Sequence, residues 1–250
     1  MCKFKDTNIR TLIYFLNFGK LKYFKPLGSK NKLKRFKENE TFLNVIQPTR
    51  DDLVNQNFNF KGHWGRSFFK NENPLILELG CGKGEYSVAL AKRYPNKNFI
   101  GIDIKGARFW RGAKTAVEEN IPNVAFLRTQ IELVDFAFAE NEVDEIWITF
   151  PDPQIKYKRT KHRMTNSEFL KRYKKILKPE GIMNLKTDSE FMHGYTLGLL
   201  HGEGHKVLYS NNDIYRQEGS PDEVTSIQTY YESQYLEQNK PITYIRFQIK

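Results

Sequence analysis

From residue 74 onward, short apolar runs alternate with segments whose apolar residues recur at helical spacing. Residues 75–79 form a compact apolar run after Pro74 that ends in glycines, and residues 85–93 carry Val88, Ala89 and Leu90 on one face. Residues 99–104 are a second run and 107–119 a second helical segment; 124–127 read as a third strand and 145–150 as a fourth. Residues 167–177 are helical, closed by Pro179 and Gly181, and 182–185 are a fifth strand. Strand and helix in alternation predict a doubly wound, Rossmann-like α/β sheet, mostly parallel and covered on both faces.

The stretch before this pattern is different. Residues 1–50 show little apolar period, and Lys3, Lys5 and Arg10 precede the apolar residues 12–16 in a way that superficially resembles a secretory signal. Asn17 and Lys20 interrupt that run, and no small-residue cleavage site follows. The expectation is a poorly ordered basic arm over 1–50, followed by one domain over 51–250. A length of 250 residues and 14% aromatic content allow a sizeable core. No run approaches the roughly 18 apolar residues of a membrane span, so a soluble chain with no membrane partner is expected. Only Cys2 and Cys81 are present, which suits a reducing compartment and a cytoplasmic location.

Charge changes the picture through its placement. The formal net charge is +11, but residues 1–40 carry +8 and residues 154–178 carry +9, leaving −6 on the remainder. Two concentrated basic tracts on a mildly acidic body suit a polyanion, most simply nucleic acid. The five histidines have no zinc-ligand spacing, so no metal is expected.

Glu78-Leu79-Gly80-Cys81-Gly82-Lys83-Gly84 follows the first strand and opens a helix. Glycine suits a sharp strand-to-helix turn and lets a ligand approach the main chain. Asp103, twenty-five residues after Glu78, ends the second strand, where a carboxylate can accept hydrogen bonds from ribose hydroxyls. A dinucleotide fingerprint would place its third glycine where Glu85 stands, and an acid there would repel a pyrophosphate. S-adenosylmethionine carries no phosphate and presents a cationic sulfonium and ammonium, which suits the acidic Glu78 beside the loop. Cys81 reads as loop filler, and Trp110, Trp147 and the His63-Trp64-Gly65 segment read as packing residues.

The fourth strand ends in Phe150-Pro151-Asp152-Pro153, and a basic run with one aromatic, Lys156-Tyr157-Lys158-Arg159-Thr160-Lys161-His162-Arg163, follows. Two prolines restrict the backbone around Asp152, and the run suits phosphates beside a splayed base. On these residues, together with Leu185-Lys186-Thr187-Asp188 and Thr229-Tyr230-Tyr231-Glu232, the chain resembles the bacterial tRNA (guanine-N7)-methyltransferases over residues 74–250.

That resemblance implies a class I S-adenosylmethionine-dependent methyltransferase fold with an antiparallel C-terminal strand near residues 243–247. It implies transfer of a methyl group to N7 of guanine 46 in the tRNA variable loop, by an enzyme acting as monomer or homodimer without an obligatory protein partner. Asp152 would be the catalytic aspartate, orienting the base. The family's cofactor contacts would fall on Glu78, Asp103 and Gln130, beside the loop glycines Gly80, Gly82 and Gly84 already read as a cofactor-binding turn, and guanine or tRNA contacts on Lys156, Asp188, Thr229 and Glu232. Gln130 stands where the family often has an acid, and Gln154 where it commonly has tryptophan. The first 27 residues have no counterpart in the family and read as an upstream start-site artefact. Three other readings stay open: an RNA-binding module without activity, an NAD-dependent oxidoreductase disfavoured by the glycine spacing, and a methyltransferase for a small molecule or protein, which leaves the basic run unexplained.

Overall fold

The computed structural model describes residues 29–250. Residues 1–27, read above as a start-site artefact, lie outside the described residues. The chain opens with α1 (Ser29–Asn39), β1 (Val45–Ile46) and α2 (Arg50–Val54), then β2 (Leu75–Leu79), α3 (Glu85–Arg93), β3 (Asn98–Ile102), α4 (Gly106–Glu118) and β4 (Val124–Leu127). It continues through α5 (Val134–Ala137), β5 (Val143–Thr149), α6 (Ser167–Ile176), β6 (Leu177–Thr187), α7 (Glu190–Gly202), β7 (Lys206–Asn211), α8 (Asp222–Ser226), α9 (Tyr230–Glu237) and β8 (Thr243–Gln248).

The strands form one sheet in the order β1-β4-β3-β2-β5-β6-β8-β7. Neighbours from β1 to β6 pair in parallel, and β8 pairs antiparallel with both β6 and β7. The expected mostly parallel sheet with an antiparallel C-terminal strand is therefore present. The strand order reverses between β2 and β5, and a crevice outside the carboxyl ends of the strands opens at such a switch point.

Side chains alternate across the sheet, as pleated strands require. Leu75, Leu77 and Leu79 of β2 join Ile146, Ile148, Met183, Leu185, Ile245 and Phe247 in one buried layer, with α5, α6 and α7 supplying Phe169, Tyr173 and Met192 among others. Trp64 belongs to this layer too, fully buried, stacked on Phe60 and Phe138 and donating its indole N–H to the Ala137 carbonyl at 3.1 Å. The opposite layer joins Ile76, Trp147 and Tyr244 to Tyr86, Val88 and Leu90 of α3 and to Phe109 and Ala113 of α4. Glu78, Thr149 and Lys186 share the parity of that second face, so polar groups enter beside α3.

Two expectations are corrected. Residues 29–50 are not a poorly ordered arm. Asn39 Nδ2 donates to the Gly106 carbonyl at 2.9 Å, Trp110 Nε1 donates to Glu38 at 2.9 Å, and the Arg35 guanidinium lies 4.8 Å from the Trp110 ring centre. Polar and cationic groups hold α1 on α4, so the apolar period that signals an amphipathic helix is absent. Farther on, Leu177 already belongs to a strand. It pairs with Val143, and the ladder then shifts so that Glu145 faces Ile182; residues 178–181, with Glu180 at φ +60°, bulge out between them.

Candidate active site at the carboxyl ends of the strands

The loop after β2 turns on three glycines with positive φ, Gly80 (+75°), Gly82 (+55°) and Gly84 (+73°). Gly80 N–H and Cys81 N–H both donate to the Ile102 carbonyl, at 2.8 and 3.0 Å, which ties the loop to the end of β3. A methyl group on Gly80 would meet nothing nearer than Met164 at 3.8 Å, and one on Gly82 nothing nearer than the Gly80 carbonyl at 4.0 Å, so the loop presents bare backbone to open space. Gly84 serves packing instead, because a methyl group there would run into the Phe126 ring and Gly112. Cys81 is buried, and burial pushes its thiol well above the usual range, against a role as nucleophile.

Asp103 follows β3 directly. Its carboxylate accepts Gly82 N–H at 3.1 Å and Lys105 N–H at 2.8 Å, so it is clamped at the mouth of the glycine loop with acceptor capacity left over. Gln130 follows β4, exposed, just before a 3₁₀ turn at Ile131–Leu133. Bare loop, clamped carboxylate and exposed amide thus line three adjacent strand ends, a set suited to an amino acid, a ribose and an adenine. Glu85 stands in the first turn of α3, where its carboxylate accepts Tyr230 N–H at 2.9 Å; a pyrophosphate at that helix terminus would face this charge.

Glu78 lies under the loop and is 4% exposed. One carboxyl oxygen accepts Ser87 N–H at 2.9 Å and the Ser87 hydroxyl, and the other accepts the Thr149 hydroxyl at 2.6 Å. Burial pushes this carboxyl up to about 7 despite those three donors. Its partners are internal, whereas the sequence suggested a charge facing the ligand.

Asp152 is exposed beyond β5 on a loop held in an unusual conformation. Phe150 (φ +49°) and Gln154 (φ +47°) flank it in the left-handed region, Phe150 N–H donates to the Lys186 carbonyl at 2.8 Å, and Gln154 N–H donates to Asp152 Oδ1 at 3.0 Å. Asp152 lines an open cleft of about 410 Å³ together with Lys156, Lys158 and Arg159. Asp188, one residue after β6, is half-buried, and burial raises its carboxyl while Lys240 stands 4.0 Å away.

Thr229 and Glu232 depart from expectation. They form a reciprocal cap at the start of α9: Thr229 Oγ1 accepts Glu232 N–H, and Glu232 Oε2 accepts Thr229 N–H, both at 3.3 Å. The Glu232 carboxylate is fully buried against the Lys186 ammonium at 2.6 Å and accepts the Tyr215 hydroxyl at 2.8 Å. Lys186 also donates to the Ile227 carbonyl at 3.0 Å and lies within 6.0 Å of the Tyr86 and Phe150 ring centres. The Glu232 carboxylate, expected to meet guanine, faces inward onto a buried cation, because the cap turns its side chain that way.

Ser87, Thr149 and Tyr215 carry no signal of their own in the sequence, and Lys186 stands in the Leu185–Asp188 segment without an assigned role. Lys186 had a signal: a lysine near the end of a strand buried on both faces requires an anionic partner. The basic run also divides. Arg172 and Lys175 pair with Asp135, Lys178 with Asp144 and Lys171 with Glu168, so α6 and the start of β6 are largely neutralised. The exposed cations left near Asp152 are those on the loop, with Lys156, Lys158 and Lys161 foremost.

Comparison with known proteins places this geometry among relatives. Residues 72–245 match a family model described as a putative methyltransferase. A tRNA (guanine-N(7)-)-methyltransferase of Christiangramia forsetii is 72% identical over 224 residues, covering 90% of this chain and all of that protein. A protein of the same name from Bacteroides fragilis is 47% identical, covering 87% of this chain and 85% of its own length. Among solved structures, the 16S rRNA methyltransferase KamB superposes with a TM-score of 0.55 at 14% identity, covering 82% of this chain and 95% of that one, a likeness of fold alone.

Proposed function

Because the chain belongs to the tRNA (guanine-N(7)-)-methyltransferase family, we propose that it methylates N7 of a guanine in tRNA, at position 46 of the variable loop, using S-adenosylmethionine. The observation that carries this reading is Asp152: an exposed carboxylate on a rigid turn at the switch point, beside the glycine loop and at the head of a lysine-lined cleft.

When bound, S-adenosylmethionine supplies an electrophilic methyl group on a cationic sulfur. Gly80 and Gly82 would give it close access to backbone, Asp103 would accept hydrogen bonds from its ribose hydroxyls, and Gln130 would meet the adenine edge. Guanine N7 already has an in-plane lone pair, so no proton need leave before attack and no strong base is required. The chain's contribution is alignment and electrostatics. Asp152 accepts hydrogen bonds from the guanine N–H groups and stabilises the positive charge that develops on the ring. Asp188, at the neighbouring strand end, takes the remaining donors of that edge. Lys156 and the other loop lysines hold the phosphate backbone while the base leaves its tertiary pairing, a cost of a few kcal/mol. Glu78 acts from beneath, joining the helix of the cofactor loop to the strand that delivers Asp152.

The test is transfer of labelled methyl to an unmodified tRNA transcript, followed by nucleoside mass spectrometry. The expected product is 7-methylguanosine, absent when guanine 46 is replaced by adenine. Full incorporation into that altered transcript would move the target, and a different methylated nucleoside would reject the proposal.

A further inference from the structure

Arg163 closes the basic run, and the charge count groups it with the residues that would face phosphate. The structure buries it: the residue is 6% exposed. Its Nε donates to the Gln154 carbonyl at 3.2 Å and its Nη2 to the Ile155 carbonyl at 3.1 Å. The guanidinium lies 4.4 Å from the ring centre of Tyr195 and 4.8 Å from that of Phe191, two stacked rings on α7. Among the described residues no carboxylate pairs with it. Carbonyls and aromatic faces, in place of counter-ions, solvate this cation.

The carbonyl it holds belongs to the residue that holds Asp152. Gln154 sits at φ +47°, a conformation unfavourable for a non-glycine residue that persists only where its surroundings over-determine it. Its carbonyl is fixed by Arg163, its side-chain oxygen accepts Arg159 Nε at 3.0 Å, and its N–H donates to Asp152 Oδ1 at 3.0 Å. A continuous path therefore runs from the aromatic pair on α7 through Arg163 and the backbone of Gln154 to the Asp152 carboxylate. Lysine cannot reproduce it, because one ammonium lacks the planar fork that meets two carbonyls while lying over a ring.

We propose that Arg163 is a positioning residue for Asp152, and that it takes no part in binding tRNA phosphate. The proposal rests on the assignment of Asp152 and its loop to the tRNA substrate. Its consequence is unusual for an arginine in a basic run: removal lowers turnover and leaves the salt dependence of tRNA affinity unchanged, because a buried cation displaces no counter-ions when tRNA binds.

The experiment compares Arg163→Met, Arg163→Lys and the double variant Lys156→Ala/Lys158→Ala in the full chain. It measures kcat and KM for unmodified tRNA, S-adenosylmethionine affinity by calorimetry, and the slope of log tRNA affinity against log salt. Arg163→Met is expected to lose roughly 10- to 100-fold in kcat, the scale of a misplacement of about 1 Å, with cofactor affinity and salt slope as in the parent. Arg163→Lys is expected to do the same, and it carries the test if the methionine variant fails to fold. The double lysine variant is expected to flatten the slope by about one per lysine at unchanged cofactor affinity. A slope flattened by about one in Arg163→Met, or parental kcat in Arg163→Lys, would overturn the proposal. A slope indifferent to the lysine pair would instead reject the loop as the tRNA footprint, and the kcat of the Arg163 variants would still report on Asp152 separately.

Discussion

The Thr149 hydroxyl donates to Glu78 Oε1 at 2.6 Å, joining the ends of two adjacent parallel strands by one buried hydrogen bond. Glu78 also accepts from Ser87 in the first turns of α3, and Thr149 is the last residue of β5 before the loop that carries Asp152. One carboxyl group thus connects the helix behind the cofactor loop to the strand that presents the acceptor side. It sits on the face of the sheet shared with α3, where Trp147 and Tyr86 exclude water around it.

This burial makes stability depend on pH in a defined window. The Glu78 carboxyl is pushed up from 4.5 to about 7, so the folded chain binds this proton more tightly than the unfolded chain does. A raised acid contributes stability below its unfolded value, and that contribution is lost as pH rises through about 7, on the order of 3 kcal/mol at most. Glu78→Gln mimics the protonated form, because its oxygen can accept from Ser87 while its amide donates to Thr149. Urea unfolding of parent and variant at pH 4.5 to 8 should show the two converging at low pH and the variant more stable above 7. A constant difference across the range would place the titration elsewhere.

Asp152→Ala should retain S-adenosylmethionine affinity, since the side chain's only hydrogen bond within the described residues is to Gln154 N–H, and should lose methyl transfer by about 10² or more. Calorimetry and single-turnover transfer on unmodified tRNA separate the two effects. Near-parental turnover would remove Asp152 from the reaction.

Substitution of Lys156, Lys158 and Lys161 together should weaken tRNA binding and flatten its salt dependence, by about one in slope for each lysine that meets a phosphate. Lys171, Arg172 and Lys175 already have carboxylate partners, so replacing those three should alter the slope far less. Filter binding between 50 and 200 mM salt, a range over which such contacts change affinity strongly, distinguishes the two groups.

Lys186→Met should destabilise the fold by roughly 3–5 kcal/mol, because it leaves the Glu232 carboxylate buried without its cation. Adding Glu232→Gln removes the stranded charge while keeping a residue able to complete the cap with Thr229, so the double variant should recover much of the loss. Urea midpoints of the single and double variants decide the matter. Equal losses would mean that the pair does not act as a unit.

Legibility followed from what each signal depends on. Leu75, Leu77 and Leu79 form a β-strand because a short, largely apolar run between Pro74 and Gly80 suits a strand covered on both faces, and both ends of that strand were readable. The helix α1 was not, because Arg35, Glu38 and Asn39 hold it through polar contacts that leave no apolar stripe. Likewise Arg163 was indistinguishable from Lys161 in a charge count, although one is buried under two rings and the other is exposed.

Local chemistry along the chain determined the glycine turn, the clamped position of Asp103 at a strand end, the proline-flanked Asp152 and the alternation that builds a parallel sheet. These depend on neighbours in sequence and on a single periodicity. The directions in which Glu78, Glu232 and Arg163 point were decided only in three dimensions. A charged side chain near a site faces either the ligand or the interior, and the choice turns on whether distant residues supply the partners that offset its desolvation. Here Thr149, Lys186 and the Phe191–Tyr195 pair supply them, from strands and helices that the chain brings together only when it folds.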